Sequence, residues 1–163
     1  MLPDGVVLRD ATADDLPALI DALHHAVNWQ GDERLPTADI MADPRLRAYV
    51  ADWPRPGDFG VVAMSGPAAV GAAWCRKFSA KDPGYGYVAD DVPEVSIGVA
   101  AAWRGRGVGT ALLTELMKRA QALGYSRISL SVEDGNRARR LYERAGFTPV
   151  GRDGGSDVMV RTL

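Results

Sequence analysis

Apolar residues along the chain keep two spacings, two and about 3.6 residues, and the switches between them lay out the elements. Strict alternation marks residues 94–100, where Val95, Ile97 and Val99 alternate with Ser96, Gly98 and Ala100 in an extended segment. Soon after it the period lengthens. Val108, Leu112 and Leu116 fall on one stripe with Leu113, Met117 and Ala120 beside it, as an amphipathic helix requires, and Gly124 is placed to end that helix. Upstream, residues 6–12 predict a strand running into a cap at Thr12, followed by a helix carrying Leu16, Leu19, Ile20 and Leu23. A short second helix is expected over 44–53, with Leu46, Tyr49 and Val50 as its apolar face. Residues 59–64 and 69–78 read as antiparallel strands around Ser65-Gly66-Pro67. Downstream come a strand over 127–132, a helix bearing Ala138, Leu141, Tyr142 and Ala145, and a closing hairpin of 147–150 with 158–163. Strand, helix pair, hairpin, strand, helix, strand, helix, hairpin is an α/β order with a mixed sheet.

Composition narrows the class. A chain of 163 residues is one domain's worth, and 47% hydrophobic with 25% charged residues is globular. The net charge of −2 supplies no basic field, so neither nucleic acid nor an acidic membrane is expected as a partner. The single cysteine, Cys75, has no intramolecular disulfide partner and reads as a small buried filler on its strand. His24 and His25 are adjacent, so on a helix they point about 100° apart and cannot share a metal from one face. No apolar run approaches a membrane span and the first residues are not a signal peptide, which makes a cytoplasmic location the expectation.

Between the alternating strand and the long helix lies Arg104-Gly105-Arg106-Gly107-Val108-Gly109-Thr110. Glycines at alternate positions let the backbone approach a ligand in conformations that a Cβ forbids. The first amides of a helix have no internal partner and carry the positive end of its dipole. The turn therefore suits phosphate oxygens, and Arg104 and Arg106 add full charge. It is not a nucleotide P-loop, because Gly109 is followed by Thr110 and Ala111 with no lysine. Nor is it a dinucleotide fingerprint, since Thr110 stands where the third glycine belongs.

The pattern Arg-x-x-Gly-x-Gly after Ile97-Gly98-Val99 instead resembles the acetyl-CoA pyrophosphate loop of the GNAT superfamily of N-acetyltransferases. A second motif, Arg140-Leu141-Tyr142-Glu143-Arg144-Ala145-Gly146-Phe147, is similar to the segment closing that superfamily's cofactor site, and the order of elements matches along nearly the whole chain. The resemblance implies one domain over 1–163 with an α/β, GNAT-like fold: a mixed, mostly antiparallel sheet, a splayed parallel central strand pair, and helices on both faces. It implies acetyl-CoA as cofactor, held by Ile97, Gly98, Val99, Arg104, Gly105, Arg106, Gly107, Val108, Gly109, Thr110 and Tyr142. Asn136 is a departure, because many members place an asparagine where this chain has Gly135. Asn136 is thus either a further cofactor contact or a helix cap.

The same resemblance implies direct transfer of an acetyl group, in a ternary complex, to a primary amine of a small molecule or peptide. Such chemistry needs a neutral amine, stabilisation of the carbonyl oxygen as it gains charge, and a proton for the departing sulfur. The oxygen's donor maps to the Val99 N–H, and the sulfur's proton donor to Tyr142, which could equally be helix core against Phe147. Glu94 is either the base, working through water as in several relatives, or a solvated strand end, with Glu133 and Asp134 in reserve. A non-catalytic acyl-CoA-binding domain is the competing reading, against which Tyr142 and Glu94 speak. The acceptor is expected at Trp29, Gln30, the second helix, and Tyr85 and Tyr87 of the loop 79–92, itself a flap or a disordered insertion. Asp90 and Asp91 either attract a cationic amine or are solvated, and a homodimer stands open beside a monomer.

Overall fold

Alternation in the strands sorts side chains to the two faces of one sheet. The computed structural model describes residues 2–163. Strands β1 (Val6–Asp10), β2 (Phe59–Ser65), β3 (Ala68–Arg76), β4 (Glu94–Val99), β5 (Arg127–Glu133), β6 (Thr148–Asp153) and β7 (Ser156–Thr162) lie in the order β1-β2-β3-β4-β5-β7-β6. Every neighbouring pair is antiparallel except β4 and β5. On one face Val61, Ala63, Ala73, Cys75 and Val95 pack with Leu112, Leu113 and Leu116 of α4 (Val108–Ala122). On the other, Val62, Ala72 and Trp74 meet Leu19, Ala22 and Leu23 of α1 (Leu16–Val27) and Ile40 of α2 (Thr37–Ala42). Leu19, Leu112 and Leu116 are fully buried, and each such side chain contributes about 1.5–3 kcal/mol. Cys75 is the expected filler, its thiol pushed up in pKa by burial.

The helix pair after β1 forms differently from expectation. Thr12 and Asp15 make a reciprocal capping box over a single 3₁₀ turn, Ala13–Asp15, which feeds α1. The helix expected over 44–53 is confined to α3 (Pro44–Arg47), capped by Asp43 through Arg45 N and Leu46 N, and α2 precedes it. Residues 48–53 are turns instead. The buried Arg76 guanidinium takes the carbonyls of Ala48 and Ala51, both at 2.7 Å, and Asp52 adopts a left-handed φ of 58°. A continuing helix would need those carbonyls for itself. The remaining helix, α5 (Ala138–Arg144), adds Tyr142 to the core on the α4 side.

The parallel pair creates the opening. β4 and β5 share only the Glu94–Ser129 bridge, with Ser129 N–H donating to Pro93 O at 3.0 Å, and beyond it they separate. β4 stays paired to β3 along its length, and Ala100 N–H reaches Val70 O at 2.9 Å. Antiparallel alternation then turns the N–H and C=O of Ile97 and Val99 the other way, toward a β5 that has left. Meanwhile α1 presses on β4 at Gly98, where an added Cβ would lie 1.8 Å from Ala22 O. Only glycine permits that approach.

Candidate active site

A cavity of about 1520 Å³ occupies the opening, reaching from the start of α4, past β4, to the connection after α1. Its first wall is backbone. Gly105 and Gly107 take φ of 71° and 87°, so the chain turns back on itself before Gly107 opens α4. The first helical bond is Ala111 N–H to Gly107 O at 3.1 Å. Among the described residues none of the amides of 105–110 donates to a protein acceptor, which leaves a row of N–H groups at a helix N-terminus. Gly105, Gly107, Gly109 and Thr110 line the cavity, as do Ile97, Gly98 and Val99.

The two arginines of the turn behave differently from each other. Arg104 lines the cavity, but its guanidinium is tied to Val99 O at 3.1 Å and His25 O at 3.2 Å, stapling the turn to β4 and α1. Arg106 lies outside the lining, its guanidinium 4.3 Å from the centre of the Trp103 ring. Val108 is also outside it, buried in the core.

The floor is Glu94. It is 3% exposed and lines the cavity where β4 and β5 meet, so it is no solvated strand end. The Tyr49 hydroxyl donates to its Oε2. Oε1 is buried and has no hydrogen-bond partner among the described residues. Gly84 of the 79–92 loop presses on it so closely that a Cβ there would lie 2.3 Å away. Burial is the dominant influence and pushes the Glu94 carboxyl from 4.5 up to about 7, while Tyr49, the nearby Gly86 amide and Arg45 favour the charged form. Gly86 in turn packs on β5, where a Cβ would come within 2.6 Å of the Leu130 carbonyl carbon. Residues 79–92 thus form a packed cover over the carboxylate.

Tyr142 lines the cavity and also packs edge-on against Phe147, ring centres 6.1 Å apart. Burial raises its phenol pKa above the ordinary 10.0. Asn136 Oδ1 accepts Ala138 N–H at 3.0 Å, the helix-cap arrangement, and the residue lines the cavity as well. Of the acceptor residues expected from sequence, Trp29, Gln30 and Tyr85 line the cavity and Tyr87 does not. The Tyr87 hydroxyl is turned to Asp90 at 2.5 Å within its own loop. The reserve carboxylates are engaged: Glu133 with Arg34 at 3.1 Å, and Asp134 with Arg152, whose guanidinium holds the Asp134 carboxyl below the usual range. The segment 44–53 expected at the acceptor site brings Arg45 and Tyr49 to the lining, while sequence reasoning missed His25, Ser96 and Asp153, which line the cavity as well. Tyr49 was legible only as one apolar position among three, and no local signal marks the others. Among the described residues no cluster of potential metal ligands occurs and no helix is long and apolar enough to cross a membrane.

A mixed sheet whose parallel pair parts beside a helix N-terminus defines the class of domain. A family model described as "Acetyltransferase (GNAT) family" matches residues 22–147, and the chain belongs to that family. It is similar to the mycothiol acetyltransferase of Propionibacterium freudenreichii subsp. shermanii, 32% identical over 157 residues. That match covers 94% of this chain and 46% of the relative, so the chain spans about half the relative's length. Among solved structures it is similar to the ribosomal-protein-alanine N-acetyltransferase of Brucella melitensis, with TM-score 0.68 and 26% identity over 96% of this chain and 99% of the other. A GNAT superfamily phosphinothricin acetyltransferase of Sinorhizobium meliloti in complex with AcCoA gives TM-score 0.67 and 26% identity over 98% of this chain and 89% of the other.

Proposed function

We propose that the chain is a single acetyl-CoA-dependent N-acetyltransferase domain, moving an acetyl group directly to a primary amine of a small molecule or peptide. The observation that carries the reading is Glu94, a carboxyl buried in the cavity wall at the fork of β4 and β5, where burial pushes its pKa up to about 7. A base of that strength is half-ionised at neutral pH, where general-base catalysis works best. The residues present also fit the cofactor, since the unpaired amides of 105–110 suit a diphosphate and the left-handed glycines leave no Cβ in its way. Bound there, acetyl-CoA supplies an activated thioester carbonyl.

This chain's residues do the rest. Glu94 takes up the proton that the amine must lose, directly or through a water, because lysine-like amines with pKa near ~10.4 arrive protonated. The Val99 N–H, turned into the cleft by the sheet's alternation, donates to the carbonyl oxygen as negative charge develops on it. Tyr142, kept protonated by burial, gives its hydroxyl proton to the departing sulfur. A C–N bond forms, the C–S bond breaks, and the second proton that the nitrogen sheds on becoming an amide returns to the Tyr142 oxygen, restoring the phenol. The names of these relatives, a mycothiol, a ribosomal-protein-alanine and a phosphinothricin acetyltransferase, share the acetyl group and differ in the rest, so they support the donor and leave the amine to be found.

The test is to incubate the chain with acetyl-CoA and a panel of primary amines and measure free CoA thiol. Turnover is expected, with kcat/KM rising with pH through about 7 as Glu94 ionises. CoA binding without thiol release across the panel would make this a binding domain and not an enzyme.

A further inference from the structure

The proposed mechanism leaves one buried titratable side chain in the cavity wall without a role. Tyr49 stands just beyond α3, 6% exposed. Its backbone is gripped from β3: Trp74 Nε1 donates to Tyr49 O at 2.9 Å, and Arg76 holds the carbonyls on either side, of Ala48 and Ala51. Arg76 is fixed in turn by Asp58 at 2.7 Å. The Tyr49 ring is seated against Phe78 and Tyr85, at centroid distances of 5.0 and 6.4 Å. Its hydroxyl oxygen accepts Tyr85 N–H at 2.8 Å, which leaves the phenolic proton to be given in one direction, to Glu94 Oε2.

We propose that Tyr49 is the positioning residue of the base: its hydroxyl, aimed by Tyr85 N–H and carried on a segment that Trp74 and Arg76 clamp, fixes the Glu94 carboxylate at the fork of β4 and β5. The proposal rests on reading Glu94 as the base. Of the other groups facing this carboxylate, the Gly86 amide and Arg45 also favour its charged form, but none holds it through a side-chain hydrogen bond. On β3, Arg76 is committed to Asp58, and burial keeps the Cys75 thiol protonated. Ser129 of β5 has no hydrogen-bond partner for its hydroxyl among the described residues. From α3, Arg45 acts at a distance, its guanidinium 3.8 Å from the Tyr85 ring centre and paired with Asp153 at 2.9 Å. Above lies the loop, with Tyr85 turned to Arg45 and the Gly86 amide close enough to favour the ionised carboxyl, a main-chain contribution that no side-chain substitution removes. Tyr49 is the one side chain that hydrogen-bonds Glu94 among the described residues. The bond acts on the ionised form, whose charge it spreads, and opposes the desolvation that would keep the carboxyl neutral.

The experiment is a carbon-13 NMR titration of the Glu94 side-chain carboxyl in the intact chain, with no ligand added. The wild type is expected to titrate near about 7. Tyr49→Phe keeps the ring and deletes the hydroxyl, so the midpoint should rise by about 1–2 pH units. A packing role alone would leave it where it was, and an unmoved midpoint overturns the proposal. CoA-thiol release is then followed against pH in both forms. The acid limb should move up with the carboxyl, and the plateau kcat at high pH should fall, because the carboxylate is then no longer held in place. If the carboxyl shifts and the limb does not, the base assignment of Glu94 falls and the hold of Tyr49 on Glu94 stands. Should Tyr49→Phe fail to fold, proton NMR of the unaltered chain decides. A slowly exchanging low-field hydroxyl proton that shifts as Glu94 titrates supports the contact, and its absence overturns it.

Discussion

The two ends of the cleft are made of different material. At the start of α4 the wall is main chain, with the amides of 105–110 and glycines at left-handed φ as its working parts. At the other end it is side chain, brought from widely separated places: Arg45 from α3, Tyr49 from the turns after it, Tyr85 from the loop and Asp153 from β6. A wall of amides is indifferent to which side chains surround it but intolerant of a Cβ in the wrong place. A wall of side chains has the opposite sensitivities. The first suits the constant part of a reaction and the second the variable part, which agrees with relatives that differ in their named acceptors.

That contrast can be broken by substitution. The largest effect should come from Glu94→Gln, which removes the proposed base and leaves the amide wall intact. Turnover should fall by about 10²–10⁴-fold while the affinity for CoA, read by calorimetry, is unchanged. Equal losses in both would show that the two ends do not act separately.

Next is the cost of holding a carboxyl in a dry site. The Glu94 proton is bound more tightly in the fold, at about 7, than in the unfolded chain, at 4.5. Folding therefore takes up a proton between those values. The associated stability is fully present below pH 4.5, declines as pH rises through about 7, and amounts to about 3 kcal/mol. Denaturant unfolding at pH 5 and pH 8 should show the decline in the wild type, and a smaller one in Glu94→Gln. Gly107→Val comes third. A β-branched residue is strained at a φ of 87° and its side chain crowds the amides, so CoA affinity should drop at least about tenfold with the fold retained. Unchanged affinity would mean that the diphosphate lies elsewhere. The smallest effect is expected for Arg106→Ala, whose guanidinium sits on Trp103 outside the cavity. It should weaken CoA by only about two- to threefold, an effect that fades with added salt.

The same contrast explains what could be read from sequence. The turn 104–110 was legible because a left-handed backbone forces glycine at fixed spacing between a strand and a helix, and all three signals are local. The strands and α4 followed from periodicity for the same reason. The acceptor end was not. Leu46, Tyr49 and Val50 have helical spacing, yet the helix stops at Arg47 because a guanidinium from β3 takes the carbonyls it would need. Nothing near residue 49 announces a contact with residue 94, which depends on strand register and on the path of a loop. Tyr87 looked as suitable as Tyr85, and only the turn of the chain at Gly86, pressed onto β5, decides which ring enters the cavity. Glu94 stood out in the sequence as the carboxylate opening the alternating strand, but its burial comes from Gly84 and Tyr49, which no local pattern links to it.

The Arg76–Asp58 pair has a consequence for how this fold can vary. Both side chains are almost wholly out of water, at 1% and 3% exposure. Loss of either partner alone strands a bare ion in the interior at a cost of about 3–5 kcal/mol, whereas exchange of both for apolar residues can be nearly neutral. The scaffold behind Tyr49 therefore cannot drift one residue at a time. Descendants of this chain inherit the two together or replace the two together, and with them the seat of the tyrosine.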